Sequence, residues 1–174
     1  MKTILFLFAV LIFGLASCNN ATSDSVEING VRWATRNVET PGRFARNLES
    51  AGGFFTWYEA QDACPRGWRL PTADELRSLL DAAGGKWTVR RGVNGHTFGI
   101  APHQIFLPAA GARLGDGSLG VVGVVSLYWS SSLSTDVFSA GAGMPLSLWL
   151  STGTGYITHD FGHTDSFSVR CVAE

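Results

Sequence analysis

The spacing of apolar positions changes several times along this chain, and each spacing predicts a different element. Ile4 to Ala16 is an unbroken apolar run behind the basic residue Lys2. It is short for a bilayer span and right for the h-region of a signal peptide. Asn19 to Ser25, NNATSDS, is polar and coreless and reads as a tether. VEINGVRWATRNV, Val26 to Val38, puts short apolar-rich runs on either side of Asn29-Gly30, a strong hairpin signal. FFTW at 54–57 is strand-like. Thr56 with Glu59 forms a capping box and predicts a short helix from Trp57 to Cys64, stopped by Pro65. GWRLP is extended. Thr72 with Glu75 is a second capping box. It opens a helix whose Leu76, Leu79 and Leu80 share one face and which Gly84-Gly85 ends. From Lys86 onward no helix is predicted, because short apolar runs alternate with glycine. The pattern predicts an α+β fold: two short helices in the N-terminal half and a β-rich, loop-rich C-terminal half. No periodic repeat interrupts it.

Leu15-Ala16-Ser17-Cys18 closes the first apolar run and resembles a bacterial lipobox. Residues 1–17 are then a lipoprotein signal peptide, cut before Cys18. Lipidation of Cys18 would make residues 18–25 a lipid-anchored tether, since several acyl chains hold where one gives marginal binding. The alternative is an ordinary secretory peptide with an incidental cysteine. Asn19 differs from the aspartate that retains lipoproteins at the inner membrane of enteric bacteria, which favours the outer membrane and surface exposure. Cys64 and Cys171 remain. An even pair in an oxidising envelope suggests one disulfide, closing a loop of roughly a hundred residues and stabilising by about 4–5 kcal/mol. The alternative is two free buried thiols. Two isolated cysteines lack the clustering of a zinc site. The chain carries 13 Lys and Arg against 14 Asp and Glu, and loss of Lys2 leaves 12 against 14. There is no basic arm and no aromatic–basic interleaving, so nucleic acid is not an expected partner. The mature chain is long enough for one domain with a real core.

VRWATRNV, FFTWYEAQDACPRGWRLPTADELRSLL, IFLPAAGAR, LYWSSS and SFSVRCV stand in that order. Together they resemble the Fibrobacter succinogenes major paralogous domain, found in surface lipoproteins of Bacteroides-like bacteria, over residues 26–172. ACPRGWRLPTADEL is the specific block. The resemblance implies a C-type lectin-like fold for residues 26–174, as in the formylglycine-generating enzymes. It implies that a cysteine of the first helix bridges to the last strand, where Cys64 and Cys171 would fall. A fold does not supply a function. The Glu-Pro-Asn or Gln-Pro-Asp loop and the Trp-Asn-Asp strand of calcium-dependent lectins are absent, and YWSSS stands in the place of the latter. The acids after residue 105 are Asp116, Asp136, Asp160, Asp165 and Glu174, a poor source for the six to eight oxygens calcium takes. The catalytic cysteine pair of the formylglycine-generating enzymes is not matched. No cofactor, metal or catalytic residue is expected.

One stretch has a missing alphabet. From Ile105 to Ala173 there is no Lys, Glu, Gln or Asn, although Lys and Glu are among the commonest residues of soluble proteins. Members of the resembled family are targets of diversity-generating retroelements, in which an error-prone reverse transcriptase randomises template adenines. Template AAC codons then become NNC, which encodes no Lys, Glu, Gln, Met or Trp. Met144, Trp129 and Trp149 would be framework, and the absence of Asn is not required by this code. The alternative is a Gly/Ser-rich β domain that happens to lack long charged side chains. With Gly117 to Leu119, Tyr128 to Ser132 and Phe167 to Val172 as framework, residues 117–166 form a candidate variable region. Its candidate ligand contacts are Gly120, Val121, Val124, Val125, Leu127, Leu133, Ser134, Asp136 and Phe138. Further along they are Tyr156, Thr158, His159, Asp160, Phe161, His163, Thr164 and Asp165. Rigid strands would hold these loops while their side chains change. GVVGVV, 120–125, reads as an apolar contact loop.

HDFGHTD, His159 to Asp165, spaces two histidines as a helical metal pair would, but Gly162 argues against a helix. No GxSxG elbow marks a hydrolase, and an enzyme is not expected. Trp33, Trp68, Trp87 and Trp149 read as core. Arg69 and Arg170 read as structural, paired with buried acids or carbonyls. The expected function is that of a surface receptor or adhesin. Its ligand would be a protein or glycan on another cell, a phage or a host, and its lipid anchor would hold it to a membrane. The alternative is a glycan-binding or structural envelope module of fixed specificity.

Overall fold

The computed structural model describes residues 24–135 and 143–174. The expected signal peptide, Cys18, Asp136 and Phe138 lie outside the described residues. Strands β1 (Ser25–Ile28), β2 (Val31–Ala34), β3 (Val38–Thr40) and β4 (Arg43–Phe44) lead into helix α1 (Trp57–Gln61). Strand β5 (Trp68–Arg69) and helix α2 (Ala73–Leu80) follow. Then come β6 (Lys86–Arg90), β7 (Val93–Ile100), β8 (His103–Pro108), β9 (Ala112–Arg113) and β10 (Leu119–Gly120). The chain continues through β11 (Ser126–Leu133), β12 (Pro145–Ser151), β13 (Thr154–Thr158) and β14 (Val172–Ala173). This is the predicted α+β mixture.

The β1–β2 hairpin turns at Asn29 and Gly30, whose φ values of 50° and 77° suit a two-residue turn. Asn29 Nδ2 also donates to Ser78 O on α2 at 2.8 Å. Both capping boxes form as the sequence predicts: Thr56 with Glu59, and Thr72 with Glu75. Helix α1 is shorter than the predicted Trp57 to Cys64. Asp62 leaves helical geometry, Ala63 O accepts Gly42 N–H at 3.0 Å, and Cys64 turns away to Cys171. Tertiary partners therefore take the residues that local propensity would have kept in the helix.

The last strand is not at an edge. The principal sheet runs β1-β2-β14-β5, so the C-terminus inserts between elements from the first half of the chain. Beside it the Cys64 and Cys171 sulfurs lie at bonding distance, 2.05 Å, across a separation of 107 residues. A second sheet, β11-β12-β13, divides the core. Leu127 and Trp129 face a cluster with Phe55, Phe167 and Val169. Tyr128 and Leu148 face another with Leu76, Leu79, Phe98 and Leu107. A third sheet, β6-β7-β8, contributes Phe98, Ile105 and Leu107 to that second cluster. Full burial of each large side chain contributes about 1.5–3 kcal/mol.

Arg170 is the polar centre. It is buried, and it donates to Asn37 Oδ1 at 2.9 Å, Ala34 O at 3.0 Å and Phe106 O at 2.8 Å. Asn37 Nδ2 in turn donates to Tyr128 Oη at 3.1 Å, and Tyr128 Oη donates to Pro108 O at 3.2 Å. Burial lowers the Arg170 pKa to about 10 and raises that of Tyr128. Arg69 grips Glu75 with both guanidinium nitrogens, at 2.8 and 2.6 Å, and donates to Leu70 O. It does so from an exposed position.

Candidate ligand-binding face

Two loops of the C-terminal half meet at their bases, and the second lies against α1. The first runs from β9 to β11, and the second from β13 to β14. A bridge between Arg113 and Ser166 ties their bases together. Farther out, a Cβ on Gly115 would lie 3.6 Å from Thr164 Oγ1. The first loop is held from within. Asp116 Oδ1 accepts from Ser118 N–H at 2.9 Å and from Ser118 Oγ at 2.6 Å, and these bonds depress the Asp116 pKa. Arg113 donates to Gly117 O and sits over the Phe54 ring.

Beside the exposed Asp116 and Ser118, this loop also exposes apolar side chains. Val121, Val122 and Val124 are 51, 58 and 58 % exposed, and Leu114 and Leu119 are exposed beside them. A Cβ on Gly120 would touch Leu114 Cδ1 at 3.8 Å, so Leu114 lies against the Gly120 backbone. Val121 has φ 51°. A β-branched side chain there clashes with its own backbone, which is why this region favours glycine and, next, asparagine.

The second loop supplies aromatic and polar groups. His163 stacks on Tyr58 of α1 at 5.1 Å and meets Trp57 edge-on at 5.7 Å. Phe161 packs edge-on against Phe167 at 4.9 Å, anchoring the loop to the core. Asp165 Oδ2 accepts Gly162 N–H at 3.0 Å, and Thr158 Oγ1 donates to Asp160 Oδ2 at 2.5 Å.

Gly120, Val121 and Val124 thus belong to the first loop, which folds back on Ala109, Gly111 and Asn94, while Phe161, His163, Thr164 and Asp165 belong to the second, whose His163 meets α1. Other candidates go elsewhere. Val125 and Leu127 are buried, which corrects their placement on an exposed loop. Val125, Leu127 and Trp129 alternate along one face of the strand and point into the same core cluster. Only VVGV, 121–124, is therefore loop, since Gly120 ends β10. Leu133, Ser134 and His159 line a separate groove of about 450 Å³ beside Asp74 and Arg77 of α2. Ser134 and Thr158 are buried. Tyr156 stacks on Trp149 at 5.0 Å across β12 and β13. His159 and His163 diverge, and among the described residues no three His, Cys, Asp or Glu side chains gather as a metal site.

The reading of YWSSS as framework acquires a specific content. Tyr128 and Trp129 are buried, and Trp129 Nε1 donates to Phe55 O at 2.8 Å. Ser130 Oγ donates to Leu146 O at 2.7 Å, and Ser132 Oγ accepts Ala73 N–H at 3.0 Å. The serines therefore join β11 to β12 and to the start of α2. Leu114, Leu119, Val122 and Tyr58 belong to the exposed face but were not among the sequence candidates. Leu114 and Leu119 each stand alone between polar or glycine neighbours, and Val122 is one of two valines between Gly120 and Gly123, so no periodicity marked them as exposed.

No protein-family model, curated protein or solved structure matches this chain.

Proposed function

We propose that this is a lipid-anchored envelope protein with a C-type lectin-like domain, whose C-terminal loops are diversified by a retroelement to bind ligands at the cell surface. Val121 carries the reading. It is exposed, β-branched and in left-handed geometry, in a segment without Lys, Glu, Gln or Asn. Folding gives no reason for valine there. An asparagine codon at the same place would suit both the backbone and the mutagenic code, since asparagine tolerates φ > 0. Valine is then one outcome of randomisation, kept because it faces outward.

Support for the fold is topological: terminal strands that pair within one sheet, and a bridge from the end of the first helix to the last strand. Support for binding comes from the face itself. Leu114, Leu119, Val121, Val122 and Val124 are all exposed within one loop. Their chemistry suits a protein surface, and the second loop adds the stacked His163 and Tyr58 against α1.

The deciding experiment is sequencing of the locus. A reverse-transcriptase gene and a template repeat differing at adenines are expected, with codons 121, 124, 161, 163, 164 and 165 ending in C or T. Absence of a template repeat overturns the proposal.

A further inference from the structure

We infer a second binding site, on the fixed half of the protein, for a small acidic sugar. One face of the β6-β7-β8 sheet packs into the core. The other forms the floor of a cavity of about 580 Å³, within the range of small-molecule pockets. Register puts Lys86, Thr88 and Arg90 of β6 on this face, opposite Thr97, Gly95 and Val93 of β7. Phe106 and Gln104 of β8 continue it. Val26, Leu48 and Pro102 supply apolar walls.

Gly95 sits between Thr88 and Pro108 in the register, and the Phe106 ring lies over it. A Cβ there would lie 2.3 Å from Leu107 O and 2.7 Å from the Phe106 ring, so glycine is what lets that ring form part of the cavity floor. Charge around the cavity is unbalanced. Arg90 approaches the buried Glu49 at 3.5 Å, longer than a tight charge-assisted bond, and lies over Phe106 at 5.4 Å. Lys86 has no side-chain hydrogen bond or ion pair among the described residues. Two cations against one carboxylate leave room for a single negative charge, which fits a carboxylate better than a phosphate dianion.

Thr88 offers a hydroxyl that both donates and accepts, and Thr97, whose Oγ1 donates to Lys86 O at 3.4 Å, keeps lone pairs to accept. Gln104 Nε2 is committed to Gly99 O at 3.0 Å, leaving its Oε1 to accept. Such a set matches the hydroxyls of a sugar, with its carboxylate at Lys86 and Arg90. Every lining residue but Phe106 precedes the segment without Lys, Glu, Gln and Asn. The site is therefore independent of loop diversification.

Calorimetric titration of the full chain with glucuronate, glucose and inorganic phosphate tests this. Glucuronate is expected to saturate, with glucose at least about tenfold weaker and phosphate weaker than glucuronate. Lys86→Gln, at an exposed strand position, should weaken glucuronate about tenfold without changing Tm. Thr88→Glu should abolish binding by placing a carboxylate on the floor. Val121→Asp should leave glucuronate binding unchanged, which separates this groove from the loop face. Equal affinity for glucose, tighter binding of phosphate, no saturation by about 10 mM, or no effect of Lys86→Gln overturns the inference.

Discussion

Val121 spends folding energy that a different residue would not. Left-handed geometry costs an L-residue about 1–2 kcal/mol, and asparagine or glycine escapes most of it. Val121→Asn and Val121→Gly should each raise stability by about 1 kcal/mol, read as a higher urea midpoint. A midpoint at or below that of the parent would show that the valine is not strained. His96 sets a second expectation. It is buried between Trp87 and Phe98, and Nδ1 has no partner among the described residues. Burial lowers its pKa. The unfolded chain, titrating near the ordinary value of about 6.5, then binds the proton more readily. Stability is full above about pH 6.5 and falls as the pH drops towards the lowered folded value, by no more than about 1.4 kcal/mol per pH unit. His96→Leu should remove that part of the slope between about pH 7 and pH 5, above the carboxylate range. An identical slope in the variant would refute it.

Helix α2 shows how far a short element depends on both near and distant partners. Its first turn is capped by Thr72 and by Ser132 from β11, and Arg69 and the Thr72 N–H both bind Glu75. These bonds, that from Arg69 foremost, hold the Glu75 pKa down. Thr72→Ala should cost about 1 kcal/mol, measured by thermal or urea unfolding. The capping boxes were legible in sequence because they are built within four residues. The cap from Ser132 was not, since nothing local says that a strand serine will meet a helix start sixty residues earlier. The beginning of β11 was misjudged for another reason. Valines on both sides of Gly123 have the same side chain, and only the alternation Val125, Leu127, Trp129 separates buried from exposed. Tyr58 was missed because exposure on a five-residue helix depends on the loop that later packs beside it.

Across the whole molecule, the order of strands was the least legible feature. β14 pairs with β2 and β5 over separations that no local pattern encodes, although the cysteine count already suggested the bridge beside it. Replacing Cys64 and Cys171 by alanine together should lower stability by about 4–5 kcal/mol, as expected for opening so long a loop. A urea midpoint unchanged by the double variant would mean that the bridge does not constrain the unfolded chain. The position of β14 has a further consequence for the message that encodes it. Arg170, Cys171 and Val172 are translated after both exposed loops. A frameshift or stop codon within residues 114–165 deletes all three at once. The product lacks the middle strand, the bridge and the cation that fills the socket around Asn37. A chain ending at residue 165 should therefore show no cooperative unfolding transition. Substitutions in the loops leave those closing residues intact, so folding inspects the reading frame while ignoring the wording between.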